Sequence, residues 1–255
     1  MAALVTGAGK RLGRAMALHL AARGHDVAVH YAGSADAAAE VAAEIRAMGR
    51  RAEAIQADLL DEDQAQSLVP RAVAVVGQLS VLVNNASIFD YDNLTTATRA
   101  GWDRHMAANL RAPFVLTQAF AAQAPGTSSD GEPLATGLIV NMIDQRVRKL
   151  TPEFMTYTIS KLGLWTLTQT SAQALAPRIR VNAIGPGPTL IGARQSEDHF
   201  ARQRAGTVLG RGADEGDIVA ALDYFLNAPA VTGQLLCVDG GQHLGWKTPD
   251  VIGRG

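Results

Sequence analysis

The chain has 255 residues, a formal net charge of −1 and 18% charged side chains, so nothing marks a nucleic-acid backbone or an anionic membrane surface as its partner. A chain of this length buries roughly three quarters of the surface that its unfolded form exposes and needs no disulfide or metal to fold, in keeping with a single cysteine. Nowhere do about eighteen apolar residues run together, and the first residues enter an apolar run with no basic leader or cleavage site, so a cytoplasmic protein acting on small molecules is expected.

In chain order, short apolar runs without polar alternation occur at Ala2–Val5, Val27–His30, Ala52–Gln56, Val81–Val83, Leu138–Asn141, Ile179–Ile184 and Leu235–Val238, the pattern of strands buried on both faces. Between them lie segments of helical length and spacing, Leu12–Arg23, Ala35–Met48, Asp61–Val76, Trp102–Gln123, Phe154–Leu175 and Asp214–Asn227, rich in alanine and leucine. Gly24 and Gly49 follow two of these where a left-handed residue is wanted, and Pro177 ends the helix from Phe154. Strand and helix alternate throughout, which predicts an α/β doubly wound fold with a mostly parallel seven-stranded sheet and helices on both faces. With no break in composition, residues 1–255 read as one dinucleotide-binding and catalytic domain. Pro125–Gly137 reads as a surface excursion. The glycine-rich stretch 185–212, with an amphipathic piece at Glu197–Arg204, follows the carboxyl end of a strand, where such folds bind ligands, and reads as a substrate-covering loop. Cys237, in the apolar run Leu235–Val238, reads as a buried, inert thiol.

The chemistry gathers at four places. The first strand runs into Thr6-Gly7-Ala8-Gly9-Lys10-Arg11-Leu12-Gly13 and then a helix, a turn whose backbone N–H groups and helix dipole suit a pyrophosphate. Asn84-Asn85-Ala86 ends the fourth strand, Tyr157-Thr-Ile-Ser-Lys161 opens a long helix, and Pro186-Gly187 follows the sixth strand. Tyr157 and Lys161 share a helix face, and a nearby ammonium lowers a phenol's pKa toward a usable range.

This order of motifs, spanning essentially the whole chain, resembles that of the short-chain dehydrogenase/reductases. The resemblance implies that Tyr157 is the acid–base residue, that Lys161 also holds the nicotinamide ribose, that Asn109 supports a proton-relay water, and that Asp58 contacts the adenine. It further implies a cofactor site built from Gly7, Gly9, Arg11, Leu12, Gly13, His30, Ser34, Asp58, Asn85, Ala86, Tyr157, Lys161, Pro186 and Gly187. No metal is expected. A homotetramer packed through the helices from Trp102 and Phe154 is implied as well.

Two departures sharpen the expectation. Where the common member has a serine thirteen residues before the tyrosine, this chain has Asp144, and a carboxyl group there suits an acceptor nitrogen that must gain a proton. Where most members have the middle glycine of the nucleotide turn, this chain has Arg11. The string T-G-A-G-K-R-L-G and the run Asn85-Ala86-Ser87-Ile88-Phe89 are similar to those of pteridine reductases, whose catalytic set is also Asp, Tyr and Lys. That likeness implies that Ser87 contacts cofactor and substrate and that Phe89 stacks on a pterin opposite the nicotinamide. No acidic residue stands after the second strand to repel a 2′-phosphate, so NADPH is expected over NADH, with Arg11, Ser34 and His30 as candidate phosphate contacts. The reading is thus an NADPH-dependent reductase of a pterin or dihydrofolate-like ring. A carbonyl reductase of 3-oxoacyl thioesters, sugars or steroids and a catalytically silent dinucleotide sensor are the alternatives. Arg146, Arg148 and Lys149 form a basic cluster that could draw an anionic tail, and the segment from Gln242 to Gly255, with His243 and Trp246, could cover a neighbouring subunit.

Overall fold

Seven parallel strands make one sheet in the order β3-β2-β1-β4-β5-β6-β7. They are β1 (Ala2–Val5), β2 (Asp26–Tyr31), β3 (Ala52–Gln56), β4 (Leu79–Asn84), β5 (Gly137–Met142), β6 (Ile179–Pro186) and β7 (Leu235–Val238). The computed structural model describes residues 1–192 and 195–248. The predicted strands are all present, with β2, β5 and β6 longer by two residues and β4 by three.

Burial on both faces explains the near-continuous apolar composition of the central strands. Val5, Val27, Val29, Val83 and Val140 face α1 (Arg11–Ala22), α2 (Ala35–Ala47) and the C-terminal helix, through Met16, Leu20, Ile45, Leu222 and Phe225. Their neighbours Leu4, Leu82, Ile139 and Val181 face the other way, onto Leu68, Val69, Leu116 and Phe120. Those four residues come from α3 (Glu62–Val76) and α5 (Ala112–Gln123). Gly24 and Gly49 take φ of 91° and 77° at the ends of α1 and α2, the left-handed exit that favours glycine.

Two predicted segments are subdivided. The helix expected over Trp102–Gln123 is α4 (Arg99–Met106), a π-helical turn over Ala107–Arg111, and α5. Pro113, in the first turn of α5, has no N–H to carry the ladder through the junction, and Asn109 is pulled out of the regular path by partners described below. Within 125–137, Ser128–Ser129 pairs antiparallel with Pro133–Leu134. The remaining helices are α6 (Met155–Leu175), α7 (Glu197–Ala205) inside the expected substrate loop, and α8 (Glu215–Asn227), which a reciprocal Asp214/Asp217 capping box opens.

The register places Asn84 beside Asn141, and Met142 beside Ile184. The carboxyl ends of all seven strands therefore lie along one edge. The order reverses between β1 and β4, the switch point at which folds of this kind open a ligand crevice. Among the described residues no helix is long and apolar enough to cross a membrane, and no cluster of three or more His, Cys, Asp or Glu could hold a metal.

Candidate active site

The glycine turn after β1 is built by close approach. Gly7 has φ of 62°, and a Cβ on Gly13 would lie 2.2 Å from the Gly7 carbonyl oxygen and 2.6 Å from the Asn85 amide nitrogen, so only glycine fits at position 13. Thr6 locks the turn to the end of β4: its hydroxyl accepts the N–H groups of Asn85 and Ala86, each at 2.9 Å. The Asn85 side chain donates back to the Thr6 carbonyl at 2.8 Å and to Gly7 at 3.2 Å. Leu12 packs against the core from the first turn of α1. That helix has Lys10 as its N-cap, with no side chain capping it and no acid in its first turn. An anion is what such a helix start lacks.

Two expected cofactor residues, His30 and Arg11, are engaged with the protein itself. His30 is buried, accepts the Gly7 N–H on Nδ1 at 3.0 Å and meets the Ala57 carbonyl through Nε2 at 3.0 Å. Both ring nitrogens are engaged in holding the turn against the end of β3, which leaves none for a phosphate, and burial lowers the pKa so that the neutral ring persists. Arg11 takes φ of 54°, in the left-handed region that favours glycine. Its guanidinium runs to the carbonyls of Ile191 (2.7 Å) and Leu190 (3.2 Å), so it ties the nucleotide turn to the loop after β6 rather than facing Ser34. Ser34 stands as N-cap of α2 with its hydroxyl not used for capping, and Gly9 abuts the same helix, where a Cβ would come within 3.2 Å of the Ala38 nitrogen. The starts of α1 and α2 thus converge, with Lys10 and Ser34 at the two caps. Asp58 is exposed and accepts the Leu60 N–H at 2.9 Å. Pro186 ends β6, and Gly187 is pressed against the chain beyond β7, where a Cβ would come within 2.5 Å of Asp239 Cβ.

At the ends of β5 and α6 the acid–base groups converge. Tyr157 Oη donates to Asp144 Oδ2 at 3.1 Å, while Asp144 Oδ1 accepts the Arg146 N–H at 2.8 Å. Lys161, one turn along α6 and 2% exposed, donates to the Met142 carbonyl at 2.8 Å, with Nζ 5.7 Å from the centre of the Tyr157 ring. Burial raises the Asp144 carboxyl above the usual carboxylate range, against the pull of Arg146 and of Tyr157. The phenol does not follow the sequence-based expectation. Burial, reinforced by Asp144, pushes Tyr157 well above its ordinary value against the pull of Arg146, and burial lowers Lys161 to about 8. The phenol therefore rests protonated and donates to the Asp144 carboxyl, so the pair holds a proton at the site.

Asn109 accounts for the π-helical turn. Fully buried, it accepts from the Ile88 N–H (2.8 Å) and the Ser87 hydroxyl (3.1 Å) and donates to the Ile88 carbonyl (2.9 Å) and to Ser160 Oγ (3.1 Å). It thereby staples the run after β4 to α6. Phe89, half exposed, stacks on Phe154 (4.4 Å between centres, 11° between planes) and meets Tyr157 edge-on at 4.6 Å. Sequence reasoning missed Phe154, which read only as the first residue of a helix. It holds φ of 56° and ψ of 48°, unusual for a bulky residue and typical of strain kept at functional sites. Its N–H donates to the Asp92 carbonyl at 2.7 Å, and the buried Asp92 carboxylate also binds the Thr156 N–H at 3.1 Å. Thr6 and Lys10 stand in the sequence only as members of the glycine turn, and nothing in the spacing of Thr6 or Asp92 reveals partners so distant in the chain.

Residues 1–201 match the family model described as short chain dehydrogenase. The chain belongs to the short-chain dehydrogenase family. It is 34% identical over 247 residues to the 3-oxoacyl-[acyl-carrier-protein] reductase of Staphylococcus epidermidis, covering 95% of this chain and 98% of that one. Among solved structures, this short-chain dehydrogenase is similar to the FolM alternative dihydrofolate reductase 1 from Brucella suis, determined in complex with NADP. The identity is 43%, the TM-score 0.91 and the coverage 98% of both chains. A short-chain dehydrogenase from Burkholderia cenocepacia, also in complex with NADP, is 34% identical with a TM-score of 0.86, covering 94% of this chain and 97% of that one.

Proposed function

We propose that this short-chain dehydrogenase is an NADPH-dependent reductase whose acceptor is a pterin or dihydrofolate-like heterocycle. One observation carries the choice of acceptor: the hydrogen bond from Tyr157 to an Asp144 carboxyl whose proton affinity is raised. A carbonyl becoming an alkoxide needs an uncharged donor such as a serine hydroxyl, and an aspartate repels that charge. A ring nitrogen, by contrast, gains a proton as the adjoining carbon is reduced, and the Asp144–Tyr157 pair can deliver it. The likeness to the Brucella alternative dihydrofolate reductase supports this reading. The identity to the 3-oxoacyl reductase keeps carbonyl reduction as the second reading.

The residues present fit the dinucleotide. The glycine turn leaves the start of α1 open to the pyrophosphate, Lys10 and Ser34 at the two converging helix caps suit a 2′-phosphate, Asp58 suits the adenine, and Lys161 suits the ribose of the nicotinamide. In the proposed assignment Lys10 takes over the phosphate role that the sequence suggested for Arg11 and His30. Once bound, the reduced nicotinamide supplies the hydride. Phe89, backed by Phe154, then holds one face of a flat ring, Ser87 lies beside it, and Asn109 fixes both through the 87–88 backbone. The described residues of the 185–212 loop, tied to the nucleotide turn through Arg11, would cover the substrate. A cytoplasmic setting suits the unpaired Cys237, whose thiol burial pushes up to about 11.

The test is NADPH oxidation against dihydrobiopterin, dihydrofolate and 3-oxoacyl thioesters. Wild type is expected to reduce the ring substrates. Tyr157→Phe should lower that turnover about a hundredfold or more, as positioned acid–base groups contribute 10²–10⁴. Asp144→Ser should lower ring reduction while sparing or improving that of ketones. A wild type that ignores every pterin and folate but reduces ketones, with Asp144→Ala harmless, overturns the reading. The assembly belongs to the proposal as well. Trp102, Phe114 and Ile159 expose 42%, 38% and 38% of their surface along α4, α5 and α6, as helices that meet a second copy do. Light scattering should report a tetramer that Trp102→Glu weakens, and a monomeric wild type would exclude it.

A further inference from the structure

Three basic side chains follow Asp144 within five residues, and the fold sends them to different places. Arg148 lies over the indole of Trp165, 5.8 Å from its centre. Lys149 reaches the Gln242 carbonyl at 3.5 Å. Arg146 alone turns to the aromatic platform: its guanidinium carbon is 5.1 Å from the centre of the Phe154 ring that stacks on Phe89. Nη1 donates to the Thr151 hydroxyl at 2.7 Å, while Nε is buried without a partner. Among the described residues no carboxylate forms a salt bridge with this guanidinium.

The side chain is half-buried: Nε is closed off and Nη1 meets a hydroxyl, so the outer edge of the guanidinium is what an anion would meet. The planar fork of an arginine matches a carboxylate, and a flat aromatic support fixes its plane. Glu153 is near in sequence, yet its neighbour Thr151 takes the Nη1 donor through a neutral hydroxyl, and Asp144 offsets the charge only electrostatically, without a contact ion pair.

We propose that Arg146 is a specificity-determining residue that binds a carboxylate on an arm of the substrate, the arm running from a ring on Phe89 across Phe154. The ring rests on the heterocycle reading above, whereas the carboxylate is argued from Arg146 itself. The preferred substrates are accordingly acidic conjugates of the ring, such as one bearing a glutamate tail, over rings with neutral side chains.

The experiment has two arms. In the first, 4-aminobenzoylglutamate and its uncharged diamide are titrated calorimetrically into the protein loaded with NADP⁺. The acid should bind wild type at least about tenfold more tightly, the scale of a charge-assisted pair, and Arg146→Gln should abolish the difference, with Arg146→Lys retaining part of it. In the second, KM for dihydrofolate should rise about tenfold in Arg146→Gln relative to KM for dihydrobiopterin. NADPH affinity and thermal unfolding of both variants report that they are folded. Equal affinity of wild type for acid and diamide, an acid preference that survives Arg146→Gln, or a KM ratio that does not move because both substrates suffer alike, overturns the assignment. Acid preference in a wild type that reduces neither pterin nor folate would uphold Arg146 and remove the heterocycle instead.

Discussion

Lys161 is the residue on which charge, burial and stability meet. The folded protein lowers it from 10.5 to about 8, because an ammonium enclosed by protein loses its hydration and regains one hydrogen bond to Met142 and the partial compensation of Asp144. Below about 8 both folded and unfolded chains carry the proton, and the folded state bears the full penalty of burying it. Between about 8 and 10.5 the unfolded chain binds more protons than the folded one, so this residue's contribution to stability rises with pH. Lys161→Met should therefore stabilise the protein against urea most below about 8, by a margin that narrows as pH approaches 10.5. A margin independent of pH would show that the ammonium is well solvated. The same variant is expected to lose turnover and cofactor affinity together, which is the opposition between stability and activity that a buried functional charge creates.

At the scale of elements, the π-helical turn Ala107–Arg111 is the joint that sets the run from Ser87 to Phe89, the platform proposed for the substrate. A regular helix from Arg99 to Gln123 would offer no reason for Asn109 to face both Ile88 and Ser160. The wider turn lets one amide satisfy both groups of the partly buried Ile88 backbone. π-Turns recur at functional sites for this kind of local re-aiming. Asn109→Leu should destabilise the protein by about 1–3 kcal/mol, since two partly buried backbone groups lose hydrogen bonds worth about 0.5–1.5 kcal/mol each. It should also speed hydrogen exchange at the Ile88 amide and loosen Phe89. Exchange at Ile88 that stays as slow as in wild type would mean that other contacts hold the platform.

For the whole molecule, the cofactor closes what the chain leaves open. The turn after β1, the caps of α1 and α2 and the edge of β4 are bound to each other, yet the start of α1 has no capping side chain and carries Lys10. Binding couples to folding: free NADPH at a hundred times its Kd should add about 2.7 kcal/mol to the unfolding free energy. At matched concentration NADH should add less, because it lacks the phosphate proposed to meet Lys10 and Ser34. Thermal unfolding of wild type and Lys10→Ala with each cofactor checks this. The difference between cofactors should shrink in the variant, and no difference in wild type would refute the preference.

The sequence by itself determined the alternation of strands and helices, the parallel sheet and the family, because burial on both faces leaves unbroken apolar runs and because glycine turns and an i, i+4 Tyr–Lys pair are local patterns. It also located Asp144, Tyr157 and Lys161 as a set, through spacing along one strand and one helix. Only the tertiary structure decided how those groups are used. It sent Arg11 to the carbonyls of Leu190 and Ile191 and occupied both nitrogens of His30. It interrupted one predicted helix at Asn109, set Phe154 under Phe89 and raised the Tyr157 pKa where a neighbouring lysine alone would have lowered it. Each of these outcomes rests on contacts between residues far apart in the chain, or on how much water the packed chain excludes, and neither quantity is written in local periodicity.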